Sequence, residues 1–123
     1  MQYLPIPNAI AAEARATLRD RFDHRLEVTH QAAPCRSCLR ISREPEELIL
    51  LSYQPLPDRV PYAEVGPIFI HAGECRPYDE AESFPADFAE RRLVLRAYGD
   101  AGEIVDAVVA APGTAPDRAA RFF

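Results

Sequence analysis

The sequence predicts an α+β fold: a small, mainly antiparallel sheet of four or five strands, with an N-terminal helix and short C-terminal helices. Three observations carry this expectation. Ile10, Ala14, Leu18 and Phe22 recur every four residues within a run of helix formers, as one face of a helix does. The stretches RLVLRAY (92–98) and EIVDAVVAA (103–111) flank GDAG, the pattern of a β-hairpin. Twelve prolines in 123 residues rule out a long helical bundle. At this length the chain is expected to form one domain, residues 1–123, around a modest core.

The elements follow in order. YLPIP (3–7) reads as extended, because proline fixes φ and removes donors. Asn8 is then placed to cap a helix over residues 9–22. RLEVTH (25–30) alternates, with Leu26 and Val28 on one side, as a half-buried strand does. EELILLSYQP (46–55) is nearly continuous in apolar character and reads as a buried strand. A connection rich in proline (56–67) leads to IFIHA (68–72), a second strand made of β-branched and aromatic residues. Residues 75–92 are polar and acidic, and PADFAER within them opens with proline as first helical turns do. After the hairpin, Thr114 or Asp117 is placed to cap a short terminal helix.

Composition bounds the function. Apolar residues make up 48% of the chain, as in a globular protein. The longest apolar runs, LILL (48–51) and IVDAVVAAP (104–112), fall far short of the roughly 20 residues of a spanning helix. The N-terminus has neither a basic opening nor an unbroken apolar stretch, so no signal peptide is expected and a reducing cytoplasm is. The formal charge of −5, with arginine the only strong base, argues against generic nucleic-acid binding.

The chemistry gathers in four residues. Cys35 and Cys38 form CxxC in PCRSCLR, while His71 and Cys75 close HAGEC, giving C-x2-C-x32-H-x3-C. In a reducing compartment such a pair points to a metal or catalytic motif before a disulfide. Three thiolates and one imidazole form a complete tetrahedral donor set for zinc. Two short-range pairs separated by strand, loop and strand follow the layout of a treble-clef-like zinc site. Arg36, Arg40 and Arg76 are near enough in sequence to offset the negative charge of Cys3His around the ion.

Other readings stay open. A redox CxxC sits between strand and helix, whereas here the flank LRISREPEEL leads toward a strand. Buried thiols with a hydrogen-bonded histidine are the plainest alternative. A catalytic zinc would use Cys35, Cys38 and His71, with Cys75 as nucleophile or Glu74 as general base. The deaminase pattern fails in both order and spacing, since HAGE follows PCRSC and holds one residue too many. His24 and His30 read as surface positions without a third ligand. Tyr62, Glu64, Arg96 and Tyr98 could form a small polar pocket, or Glu64 and Arg96 a structural ion pair.

Across PCRSCLR, LSYQPLPDRVPYAEVGPIFIHAGECRPY and RLVLRAYGDAGEIVDAVV, from about Pro34 to about Val109, the chain resembles an uncharacterised bacterial family. It is the domain of unknown function numbered 1203. The resemblance places Cys35, Cys38, His71 and Cys75 on that family's motif positions, with Tyr62, Glu64, Pro67, Arg96 and Tyr98 alongside. It implies a pattern and no activity. Members of that family run on past the terminal helix into another strand and a cysteine-containing tail, whereas this sequence stops at RAARFF. From this departure an exposed sheet edge is expected, which invites a homodimer. The expected function is that of a cytoplasmic zinc-stabilised domain binding a protein or a small ligand, away from membranes. A metal- or thiol-dependent enzyme using Cys75 or Glu74 is the alternative.

Overall fold

A computed structural model of the chain describes residues 3–56 and 64–120. Helix α1 spans Asn8–Thr17. Pro7 takes the capping position, Asn8 is the first helical residue, and no side chain caps the end. The helix is shorter than the periodicity predicts. Leu18 turns left-handed at φ 51° and ends it. Asp20 then supplies the physical reason. Its Oδ1 accepts the N–H groups of Phe22 and His24 at 2.9 and 3.0 Å, donors that further helical turns would have used. Its Oδ2 accepts the Ser52 N–H at 3.1 Å and lies 3.0 Å from His24 Nδ1. The carboxylate, only 1% exposed, thus pins the loop to the sheet.

Strands β1 (Val28–Gln31), β2 (Glu46–Tyr53) and β3 (Gly66–His71) form an antiparallel sheet in the order β1-β2-β3. Central β2 is buried on both faces at Leu48, Ile49 and Leu51, which accounts for its unbroken apolar run. Ile49 and Leu51 join Ile70 of β3, Ala11 and Ala14 of α1, Ile6 and Leu26 in the core. Cys35 and Cys38 belong to the same cluster, so the thiols lie at one end of the core.

Beyond helix α2 (Ala86–Ala89), strands β4 (Leu93–Tyr98) and β5 (Ile104–Ala110) form the hairpin that the sequence predicts. Gly102, at φ 81°, takes the left-handed position in its turn. The hairpin does not extend the first sheet, so the expected four or five strands divide into sheets of three and two. The outer edge of β3 is already occupied: Arg36 N–H donates to Phe69 O at 2.8 Å. Helix α3 (Ala115–Ala120) packs instead on the hairpin, with Ala97, Ala110, Ala115 and Ala119 buried. Ile104, Val105 and Val109 of β5 remain exposed.

Candidate metal centre

Residues 34–41 fold into a knuckle. A bridge between Pro34 and Ile41 closes it, Cys35 N–H donates to Arg40 O at 3.0 Å, and Leu39 N–H donates to Cys35 O at 2.9 Å. Leu39 is left-handed at φ 55°, which lets the chain reverse directly after Cys38. His71 is the last residue of β3, and Cys75 follows four residues later, before any helix. The treble-clef-like order of knuckle, hairpin and strand end is therefore present, with an irregular stretch where the layout would place a helix.

These elements bring all four predicted donors together. The sulfurs of Cys35, Cys38 and Cys75 and a ring nitrogen of His71 all lie within 4.8 Å of one another. With Zn–S near 2.3 Å, Zn–N near 2.05 Å and tetrahedral angles, edges come to roughly 3.8 Å between sulfurs and roughly 3.6 Å between sulfur and nitrogen. Cys35 Sγ and Cys75 Sγ are 3.9 Å apart, and Cys38 Sγ is 3.6 Å from His71 Nδ1. No disulfide joins the three cysteines. These two edges match a metal-binding tetrahedron, the remaining ones lie within 4.8 Å, and the cluster could bind an ion.

The surroundings favour ionisation at one sulfur, that of Cys35. Cys35 is held well below the usual thiol range, first because the Cys38 thiol donates to it and then through backbone N–H groups, which together outweigh burial. One of those donors, His71 N–H, lies 3.4 Å from Cys35 Sγ. Sharing that proton, and burial with it, push Cys38 upward. Burial alone would lower the pKa of His71, but the Glu46 carboxylate and then the Cys35 sulfur raise it.

Two residues of the site escaped the sequence. Glu46 Oε2 lies 2.6 Å from His71 Nε2, leaving Nδ1 toward the sulfurs. A carboxylate behind a ligating imidazole orients the ring and strengthens it as a donor. Its signal lay in the register: His71 faces Leu48, and Glu46 is two residues away on the same strand face. Arg15 of α1 donates from Nε to His71 O at 2.9 Å and from Nη2 to Cys75 Sγ at 3.5 Å. It takes the charge-offsetting place expected of Arg36, Arg40 and Arg76; Arg76 instead pairs with Asp79 at 2.8 Å.

The other expected site residues disperse in part. Tyr62 lies outside the described residues. Arg96 is exposed on β4 opposite Ala107. Glu64 and Tyr98 line one cavity, whose cationic member is Arg36. Glu74 is exposed. His24 Nδ1 meets both Asp20 Oδ2 and Ser52 Oγ, at 3.0 and 3.3 Å. A serine–histidine–aspartate relay needs its hydroxyl and carboxylate on different ring nitrogens, so these three do not form one.

A family model described as "Protein of unknown function (DUF1203)" matches residues 32–123, a span that holds the four donors and Glu46 but not Arg15. No curated protein and no solved structure matches the chain.

Proposed function

The chain belongs to this family of proteins of unknown function, and from that premise we propose that it is a small zinc-stabilised domain acting by binding a protein or a small ligand. Cys35, Cys38, His71 and Cys75 hold the ion. The observation that carries the reading is the match of the 3.9 and 3.6 Å donor separations to the edges of a zinc tetrahedron. Bound there, zinc supplies a junction between the knuckle and the end of β3, with no open position for chemistry.

The rest of the site serves that junction. The Glu46 carboxylate accepts from His71 Nε2 and fixes the ring, and Arg15 offsets the charge of three thiolates. The position of Cys75 among the donors speaks against its use as a free nucleophile. Three cysteines outside any disulfide fit a reducing cytoplasm. No helix among the described residues is long and apolar enough to cross a membrane. Pairing of two copies along the exposed β5 ribbon belongs to the same reading of the protein as a binding module.

Elemental analysis with thiol titration tests the zinc. One zinc per chain is expected, with thiols that react only after chelation. Cys38→Ser is expected to release the ion and lower the melting temperature, because structural zinc contributes on the order of 10 kcal/mol to folding in small domains. A protein that carries no zinc after purification in its presence, and whose Cys38→Ser variant melts unchanged, overturns the reading.

A further inference from the structure

A cavity of about 360 Å³ opens between the end of the β2–β3 ladder and the end of β4. Arg36, Tyr53, Glu64, Gly66, Ile68 and Tyr98 line it. Its volume falls within the range of small-molecule sites. Pro55 and Leu56 complete a lining that is largely apolar and carries one cation and one anion.

The cation is held on rigid backbone. Arg36 sits between Cys35 and Cys38 in the knuckle. Its N–H donates to Phe69 O at 2.8 Å, and its carbonyl accepts from Ile6 N–H at 2.9 Å. Among the described residues no ion pair joins Arg36 to Glu64, although both face the same space. Two opposite charges facing one cavity without bridging it suit a ligand that carries both complementary charges.

Gly66 adds an independent observation. Gly66 is the first residue of β3, opposite Tyr53 at the end of the ladder. The φ of Gly66 is not left-handed, and a Cβ built there meets no atom within 4 Å. Neither backbone conformation nor close packing therefore requires glycine at this position. Gly66 lines the cavity, and a side chain there would extend into open space.

We propose that this cavity binds a small zwitterion of free amino-acid size. The Arg36 guanidinium takes the carboxylate as a two-pronged donor, Glu64 takes the ammonium, and the Tyr53 and Tyr98 rings flank the body. The inference rests on the binding reading above and names its ligand class. It depends on zinc only in that the knuckle presenting Arg36 is the one the ion closes.

Isothermal titration of the zinc-loaded chain with the twenty free amino acids, and with their N-acetyl and amide derivatives, tests it. At least one free amino acid is expected to bind, and blocking either charged end should weaken it roughly ten- to a hundredfold, the range for a hydrogen bond to a charged group. Arg36→Gln should abolish discrimination against the amide, and Glu64→Gln discrimination against the N-acetyl form. Gly66→Val should eliminate binding while zinc content and melting temperature hold or rise. Zinc is measured in every sample. Absence of binding in fully zinc-loaded protein, or equal binding of the blocked derivatives, overturns this inference and leaves the zinc reading standing. Binding by a zinc-free chain sustains the inference and shows that the cavity does not need the ion.

Discussion

Removal of the Glu46 carboxylate gives the sharpest test of how the donor cluster works. In the native chain this group is 2.6 Å from His71 Nε2 and 42% exposed. Partners of this kind behind a metal-bound histidine are worth about ten- to a hundredfold in affinity. Because Glu46 is over a third open to water, solvent can replace part of the contact, and Glu46→Ala is placed at the low end, about tenfold. A tenfold loss is about 1.4 kcal/mol, and with zinc above its dissociation constant the whole amount appears as lost stability. That corresponds to a drop of roughly 3–6 °C in melting temperature. Competition with a chromophoric chelator measures the affinity, and thermal melts at fixed free zinc measure the stability. Glu46→Gln keeps an acceptor without the charge and should fall between wild type and alanine. If Glu46→Ala binds zinc within twofold of wild type, Nδ1 is not presented to the ion by the Glu46 contact, and the assignment of His71 as an oriented ligand collapses.

Two further substitutions probe the links around the site. Arg15→Met removes both hydrogen bonds from α1 to the His71 carbonyl and the Cys75 sulfur; about 1–2 kcal/mol of stability should be lost, with faster amide exchange in α1, and an unchanged exchange pattern would refute the clamp. Asp20→Ala strands the N–H groups of Phe22, His24 and Ser52 and should cost about 2–3 kcal/mol at neutral pH. Burial works to raise the Asp20 pKa, but the His24 and Ser52 N–H groups outweigh it and hold the value below the usual 3.8. The contribution is therefore complete above the usual value and fades as pH falls through the lower native one. Melts of both proteins should converge in strong acid, and a gap that stays constant with pH would count against the carboxylate as its source.

What the sequence disclosed is what short-range spacing can encode. CxxC and HxxxC each place two donors within one turn of backbone, and GDAG between alternating strands announces its hairpin without any tertiary knowledge. The shortened helix was hidden, because Asp20 acts through a buried carboxylate whose third partner residue, Ser52, lies 32 residues away. The split into two sheets was hidden as well, since nothing local to Arg36 says that its N–H will cover the edge of β3. Glu46 and Arg15 belong to this class. One is found only once the β2–β3 register is known, and the other only once α1 has docked. In the predicted pocket, Glu64 and Tyr98 were legible as companions while their cation was not, because Arg36 reaches the cavity from a knuckle far away along the chain.

The backbone bonds that close the knuckle, Cys35 N–H to Arg40 O and Leu39 N–H to Cys35 O, involve no other element of the fold. Two thiols can therefore be presented side by side while β3 is still unpaired. Metal capture would then proceed in two kinetic stages, an early loose chelate on the turn followed by tightening when the strand delivers imidazole and third sulfur. On that scheme, the off-rate of an ion held by the four donors would be tied to fraying at the end of β3 rather than to opening of the turn itself.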